Sequence, residues 1–221
     1  MISAIVFDFD GVIADSEVLH LRAYQQVLTP LGAALTREDY FERYLGFDDE
    51  GVFRKIAADR GLTLSPEDIE HLIADKALVF EALESTADML FPGAAACVRR
   101  LSTEFELGIA SGARRSEIDA VLERAALGPR FKAIVASGDT PESKPSPDPY
   151  LRAASLLGRA PQDCVAIEDS RWGIASAKSA GMACVGITQT YPRRELGEAD
   201  CVIDSLDEFT AALIRSLPSG S

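Results

Sequence analysis

The N-terminal segment Ile2–Phe7 constrains the fold of this chain more than any other feature. It is short, apolar and rich in β-branched side chains, which predicts a strand buried on both faces, as in a parallel sheet covered by helices. Two carboxylates, Asp8 and Asp10, follow directly, and Gly11 allows a turn beyond them. Because ligands of open α/β sheets bind at the carboxyl ends of strands, we expect a ligand site here. An ordinary acidic turn is the alternative.

From residue 91 onward, short apolar strands alternate with helical segments. The predicted strands are Leu107–Ala110, Ala133–Ala136, Cys164–Ile167, Ala183–Ile187 and Cys201–Ile203. The predicted helices are a segment from Pro92 to about Leu101, then Ser116–Ala126, Pro147–Leu157 with Ser146 as its cap, and Arg171–Ala180. This alternation predicts an α/β fold with a doubly wound parallel sheet.

Residues 17–86 show helical periodicity and no evident strand. The predicted helices cover residues 19–31, a short segment capped by Thr36 with Asp39, Glu50–Arg60 and Pro66–Leu83. We therefore predict an α-helical domain at residues 16–86, inserted into an α/β core made of residues 1–15 and 87–221. The alternative is that all these helices share one common core.

Composition narrows the functional classes. The chain has 221 residues and a net charge of −13, which opposes long-range attraction to nucleic acid or anionic membranes. No apolar run approaches the roughly 20 residues of a membrane span, and the N-terminus lacks the basic region of a signal peptide. The four cysteines lack Cys-x-x-Cys spacing, and three of them lie in predicted strands. We expect a cytoplasmic protein with reduced thiols and no nucleic-acid or membrane partner.

Polar residues also stand at the ends of two later strands. Ser111 follows a predicted strand, and the amides of Gly112 and Ala113 precede a helix, which is a favourable place for an anion. Glu168 and Asp169 end another strand. A doubly wound sheet gathers such ends along one edge, so these side chains are expected to converge on Asp8 and Asp10. Simple helix capping is the alternative for the second acidic pair.

Local positive charge is needed if this crevice binds a phosphate ester, since the chain as a whole repels anions. Lys144 is a candidate, because it lies in a Ser-Lys-Pro turn whose backbone is restricted by Pro145. A divalent cation is the second candidate, and carboxylate oxygens are the ligands that Mg²⁺ prefers. Taken alone, Lys144 would by default be a solvated surface lysine.

Four segments of the chain, in order, resemble the four motifs of the haloacid dehalogenase superfamily of phosphotransferases. They are Asp8–Ser16, Ile109–Gly112, Ser143–Pro145 and Val165–Ser170. Each motif is weak alone, but four in order along the whole chain are specific. The resemblance implies a Rossmann-like core with a helical cap inserted between the first and second motifs, and Mg²⁺-dependent phosphoryl transfer.

The resemblance also implies roles for the residues of the motifs. Asp8 is expected to attack phosphorus and form an aspartyl phosphate. Asp10, two residues on and on the same side of an extended strand, is expected to act as general acid and base. Lys144 is expected to balance the charge of Asp8 and of the phosphoryl group.

The remaining motif residues are implied to hold metal and phosphate. The expected metal ligands are Asp8, the backbone carbonyl of Asp10, Asp169 and, directly or through an intervening group, Glu168. The expected phosphate-binding groups are Ser111, Gly112 and Ala113.

Within the superfamily, the chain is similar to β-phosphoglucomutase-like phosphatases with a helical cap. His20 resembles a hinge histidine that couples cap closure to Asp10 in such relatives, and Lys76 resembles a cap lysine that reaches the substrate. The alternatives are an ordinary polar helix residue for His20 and a surface lysine for Lys76. His71 is expected on a solvated helix face.

One position departs from the β-phosphoglucomutase pattern. Those enzymes carry an arginine, which holds the second phosphate of the substrate, three residues after a glycine that matches Gly46. Here Asp49 stands at that place, with Arg54 as a candidate substitute. We therefore expect a phosphatase acting on a small phosphorylated metabolite, such as a sugar phosphate, and a monomer. The alternatives are a sugar phosphomutase and a catalytically silent binding protein on the same scaffold.

Overall fold

The computed structural model describes residues 1–45, 47, 49–84 and 89–218. The chain forms two compact units, a core unit made of Met1–Asp15 with Leu90–Ser221 and an insert made of Ser16–Met89. The predicted boundary between residues 86 and 87 lies outside the described residues, as does Gly46.

The core unit is built on a six-stranded sheet. Its strands are β1 Ala4–Phe7, β2 Glu106–Ala110, β3 Phe131–Val135, β4 Cys164–Glu168, β5 Ala183–Ile187 and β6 Cys201–Ile203. They lie in the order β3-β2-β1-β4-β5-β6, and every neighbouring pair is parallel. The predicted strands are confirmed with small differences at their ends, and so is the doubly wound parallel sheet.

The described residues of the insert form helices joined by loops. Its helices are α1 Glu17–Leu28, α2 Arg37–Asp39, α3 Asp49–Arg60 and α4 Pro66–Glu84, and α2 continues as a π-helical turn over Tyr40–Tyr44. The predicted cap of α2 is confirmed, since the Asp39 amide donates to Thr36 Oγ1 at 3.0 Å. One cluster of buried aromatic and aliphatic side chains comes from the insert alone, which gives this unit a core of its own.

Five helices complete the core unit over its described residues. They are α5 Ala94–Leu101, α6 Arg115–Arg124, α7 Asp148–Leu157, α8 Arg171–Ser179 and α9 Ala211–Ser216. Ser146 is not the cap of α7, because Pro147 occupies that position and makes no side-chain hydrogen bond there. The short helix α9 was not predicted; it begins after Thr210, whose hydroxyl accepts from the Leu213 amide at 3.2 Å.

Both faces of β1 are buried, as its unbroken apolar sequence requires. On one face, Ala4 and Val6 pack in a cluster with residues of α7 and α8. On the other, the ring of Phe7 makes edge-to-face contacts with the rings of Phe131 and Phe209, and in each pair the ring centroids are 6.0 Å apart. The strand order reverses between β1 and β4, so the loops that follow these two strands flank the switch point where such sheets bind ligands.

The structure also tests the expectations about cysteines and membrane-spanning segments. All four cysteines are free; three lie in strands as predicted, and Cys97 is buried on α5. None of the helices in the described ranges combines the length and apolar character needed to cross a bilayer.

Candidate active site

Asp8 follows the last residue of β1 and lies at the switch point of the sheet. Its amide donates to the carbonyl of Ile167 on β4 at 3.0 Å, which continues the parallel ladder by one residue. Its Oδ1 accepts from the Phe9 amide at 2.7 Å and lies 2.9 Å from Lys144 Nζ. The side chain is therefore held on one oxygen, in a position that is 8% exposed.

Lys144 precedes α7 and bridges two carboxylates. Its Nζ lies 2.9 Å from Asp8 and 2.6 Å from Glu168 Oε1. Burial opposes protonation of the amine, but the charges of Asp8 and Glu168 outweigh it, so the pKa of Lys144 is raised above its usual range. The surface-lysine alternative is wrong, because only 14% of this side chain is exposed.

Glu168 is the last residue of β4 and is fully buried. Its Oε1 accepts from Lys144 and from the Tyr150 hydroxyl at 2.7 Å, and its Oε2 accepts from Ser170 Oγ at 3.2 Å. A side chain at Gly173 would place its Cβ 1.8 Å from the Glu168 carboxylate. The glycine at the start of α8 thus leaves the space that this carboxylate fills.

Asp169, the next residue, is buried, and its carboxylate is hydrogen-bonded to the Thr190 side chain. Gly11 closes over it with a φ of +78°, and a Cβ at Gly11 would lie 1.9 Å from Asp169 Oδ2. Both the backbone conformation and the close approach require glycine at this turn.

Carboxylate oxygens of Asp8, Glu168 and Asp169 lie within 4.8 Å of one another. We call these three residues and Lys144 the acidic cluster. Burial and then the charge of Glu168 raise the pKa of Asp8 to about 8, and the same two causes raise that of Asp169. Lys144 alone does not balance three carboxylates, so the cluster has the charge and the hard oxygen ligands that suit a divalent cation.

Asp10 lies in a loop rather than in the extended strand that was predicted. Strand β1 ends at Phe7, and the loop is closed by hydrogen bonds from Gly11 N to Ala14 O at 2.9 Å and from Ile13 N to Phe9 O at 2.8 Å. The position of Asp10 relative to Asp8 is therefore set by this loop and not by the two-residue repeat of a strand.

Ser111 follows β2 and is buried. Its amide donates to the Val135 carbonyl at 3.0 Å, and its Oγ accepts from the Ala113 amide at 3.0 Å. Gly112 is exposed between them, and α6 begins at Arg115. Of the predicted anion-binding groups, the Ala113 amide is thus engaged with Ser111 in this structure.

His20 and Lys76 belong to the insert and are brought together there. His20 Nδ1 lies 2.8 Å from Lys76 Nζ, and Lys76 Nζ lies 2.8 Å from Asp49 Oδ1. The Tyr24 hydroxyl donates to the same Asp49 oxygen at 2.5 Å, and the Phe80 ring stacks on His20 with centroids 4.2 Å apart. We call these five residues the insert cluster.

The insert cluster settles one alternative and explains one pKa. Lys76 is only 4% exposed, so the alternative that it is a surface lysine is wrong. Burial raises the pKa of Asp49, but hydrogen bonds from Lys76 and Tyr24 outweigh it and the pKa is lowered. His71 is exposed on α4, as predicted.

Three residues of the acidic site were missed from sequence. Tyr150 lies on the buried face of α7 with Ala153, Ala154 and Leu157, a spacing that indicates a core helix face, and a tyrosine on such a face needs a partner for its hydroxyl. Thr190 lies in the loop that begins where β5 ends at Ile187, so the strand-end argument applies to it as well. Gly173 carried no signal, because its role depends on the neighbouring Glu168.

A doubly wound parallel sheet with buried carboxylates at its switch point and a helical insert after the first strand defines a class of α/β proteins with an acidic ligand site. The sequence profile of the haloacid dehalogenase-like hydrolases matches residues 5–187, and the chain belongs to this family. The family resemblance of the four motifs is thereby confirmed, and the chain is an enzyme of this class.

Several relatives match almost the whole chain. β-Phosphoglucomutase of Bacillus subtilis is 34% identical over 96% of this chain and 93% of its own length. Hexitol phosphatase B of Escherichia coli is 32% identical over 95% of both chains. The structure of a CbbY variant from Rhodobacter sphaeroides in complex with xylulose-1,5-bisphosphate is 30% identical, with a TM-score of 0.80, and covers 94% of this chain and 96% of that one.

Proposed function

We propose that this protein is a Mg²⁺-dependent phosphatase that hydrolyses a small phosphorylated metabolite, a sugar phosphate or a related polyol phosphate. The observation that carries the proposal is the acidic cluster, in which Asp8 stands against a buried lysine and two further carboxylates at the switch point of the sheet. The reaction proceeds in two displacements through a phosphoryl group held covalently on Asp8.

Asp8 is the nucleophile in this scheme. Both hydrogen bonds that the described residues donate to it fall on Oδ1, so Oδ2 is the oxygen that attacks phosphorus. Lys144 stays protonated beside it and offsets the negative charge of the carboxylate and of the phosphoryl oxygens. The leaving group departs with a proton and the product alcohol is released.

Asp10 moves that proton. In the first displacement its carboxylic acid protonates the departing oxygen, and in the second its carboxylate takes a proton from the water that attacks the phosphoryl group on Asp8. The loop from Phe9 to Ala14 holds Asp10 two residues beyond the nucleophile, so one short segment supplies both carboxyl groups.

Asp8, Asp169 and the backbone carbonyl of Asp10 are the proposed Mg²⁺ ligands. Their oxygens suit this ion, and a cation is what the surplus of carboxylates lacks. When bound, Mg²⁺ neutralises phosphoryl charge and keeps Asp8 ionised. Glu168 is assigned to holding Lys144, because both of its oxygens already accept hydrogen bonds from other groups.

The substrate class is inferred from the relatives and from the insert. Among the relatives that match almost the whole chain, one is named a hexitol phosphatase and another binds a sugar bisphosphate. In the insert, the proposed cap, the charge of Lys76 is neutralised by Asp49, and Arg54 is paired with Glu50 at 2.7 Å. Neither cation is therefore suited to clamp a second phosphate, which favours a monophosphate.

The proposal is tested by a screen of phosphorylated metabolites with Mg²⁺. We expect inorganic phosphate from sugar or polyol monophosphates without any bisphosphate activator. Purified protein that releases no phosphate from any ester in the screen, including an aryl phosphate, would refute the assignment as a phosphatase.

A phosphomutase is the second candidate, favoured by the 34% identity to β-phosphoglucomutase. Incubation with β-glucose 1-phosphate separates the two activities. Formation of glucose 6-phosphate faster than inorganic phosphate would establish the mutase, and the reverse order would establish the phosphatase.

A further inference from the structure

Tyr150 contacts the acidic cluster, yet the proposed reaction gives it no role. Its side chain is fully buried on α7, its hydroxyl donates to Glu168 Oε1 at 2.7 Å, and Lys144 Nζ lies 5.1 Å from the centre of its ring. Building on the proposed function, we infer that Tyr150 is a positioning residue which, acting through Glu168, holds the Lys144 ammonium against Asp8.

The position of Lys144 depends on how two carboxylates share it. The contact with Glu168 is the shorter at 2.6 Å, and the contact with Asp8 is 2.9 Å. Tyr150 donates to the same Glu168 oxygen as Lys144 and so satisfies part of the charge on that oxygen. Without the hydroxyl, Lys144 is the remaining donor to Oε1 and is drawn toward Glu168, away from the nucleophile.

Glu168 cannot compensate by turning away from this arrangement. Its Oε2 accepts from Ser170 Oγ at 3.2 Å, and the carboxylate fits so closely against Gly173 that a Cβ there would lie 1.8 Å from it. The carboxylate is therefore a fixed acceptor, and the loss of one donor changes the position of the other donor.

The ring of Tyr150 has a separate, structural role. It packs in the buried cluster that includes Val6, Ala166 and Ile174. Tyr150→Phe keeps this packing and removes only the hydroxyl, so the substitution isolates the hydrogen bond to Glu168.

The chain offers a matched control in Tyr44. This tyrosine is also buried, and its hydroxyl also donates to a carboxylate, Asp59 Oδ2, at 3.0 Å, but both residues lie in the insert and outside the insert cluster. Tyr44→Phe therefore removes a comparable hydrogen bond without touching Glu168 or Lys144.

The test compares both variants with wild type by turnover of p-nitrophenyl phosphate, by inhibition with orthovanadate, a phosphoryl mimic, and by calorimetric titration with Mg²⁺ alone. For Tyr150→Phe we expect kcat to fall and the vanadate inhibition constant to rise, each by about 10- to 100-fold, as is typical for partners that orient active-site ligands. Mg²⁺ affinity should resemble that of wild type, because Asp8 and Asp169 are unchanged. Tyr44→Phe should alter only the melting temperature.

The vanadate constant separates positioning from stability, since a smaller folded fraction lowers the rate but not the inhibition constant. An unchanged constant in Tyr150→Phe, a lost Mg²⁺ affinity, or an equal kinetic change in Tyr44→Phe would overturn the inference. A crystal structure of Tyr150→Phe gives a readout free of activity: Lys144 still at hydrogen-bond distance from Asp8 would refute the positioning role. Inactive wild-type protein would instead refute the proposed function.

Discussion

The two units of this protein each bury a lysine among polar partners, but negative charge is in excess in one cluster and balanced in the other. In the acidic cluster Lys144 is the single lysine beside three carboxylates, and burial raises the pKa of two of them. In the insert cluster Lys76 faces the single carboxylate of Asp49, whose pKa is lowered. A balanced cluster is satisfied by its own residues, whereas a surplus of buried carboxylates needs a cation from outside the protein. This imbalance is the feature on which the proposed metal site rests.

The largest effect is expected from Asp8→Asn. The amide cannot attack phosphorus, so turnover should vanish and no covalent phosphoenzyme should form. Steady-state assays with an aryl phosphate and intact-mass measurement check both points. A fully active variant, or a phosphoryl group found on another residue, would contradict the mechanism. The acidic cluster would then differ from the insert cluster in charge but not in the proposed catalytic role.

Asp169→Ala tests the surplus of charge directly. Removing one carboxylate relieves repulsion among the buried acids, so without metal the variant should melt at a higher temperature than wild type. Calorimetry should show that the variant no longer binds Mg²⁺, and its activity should be lost as well. Asp119→Ala, which removes an exposed acid on α6, is the control and should keep Mg²⁺ affinity. Unchanged Mg²⁺ affinity in Asp169→Ala would show that the cluster does not need the cation.

Asp10→Asn separates the proton shuttle from the nucleophile. Losing general acid–base help typically lowers the rate by roughly 10²- to 10⁴-fold. The loss should be smaller for an aryl phosphate, whose leaving group needs little protonation, and the phosphoenzyme should then accumulate because water still lacks its base. Intact mass of the variant during turnover reports this. A variant equally slow on all esters, without a covalent species, would argue against the shuttle.

Lys76→Met tests the balanced cluster. It leaves Asp49 partly buried without its cation, and we expect a loss of about 1–3 kcal/mol in the free energy of unfolding, measured in urea. This is less than for a fully buried pair, because 32% of the Asp49 side chain is exposed. Lys55→Met, which removes an exposed partner of Asp59, should cost under about 1 kcal/mol. Equal losses of unfolding free energy in the two variants would mean that the burial of Lys76 does not strengthen its ion pair with Asp49.

The smallest effect is the pH dependence of the insert cluster. Asp49 faces Lys76, Tyr24 and His20, and its pKa in the folded state lies below the ordinary value of 3.8. Its ionised form therefore stabilises the fold above that value, and the contribution is lost as pH falls through the lower folded pKa. The difference in unfolding free energy between wild type and Asp49→Asn should shrink in acid, whereas a difference independent of pH would exclude ionisation of Asp49 as its source.

Periodicity and motif order in the sequence were sufficient for most of the fold and for naming the residues that the fold brings together in the acidic cluster. The apolar run before Asp8 is long enough for a strand and too apolar for a half-exposed one, so a covered parallel sheet follows from local composition. Asp8 and Asp169 were found because strand ends of a parallel sheet converge, a rule that depends on topology and not on detailed packing. Lys144 was found from its place in the Ser-Lys-Pro motif. The helix α9 was missed because it is too short for a periodic signal.

Tertiary structure alone decided how these residues are held. The sequence could not show that Tyr150 and Ser170 donate hydrogen bonds to the two oxygens of Glu168. Nor could it show that Gly11 and Gly173 leave space for two carboxylates. Some of these contacts join segments that are distant along the chain, and the others lie within turns whose geometry no sequence repeat predicts. The sequence could not show that Asp49 neutralises Lys76 either. Charge balance in a buried cluster is a property of distances of a few ångströms between side chains, and those distances exist only once the chain has folded.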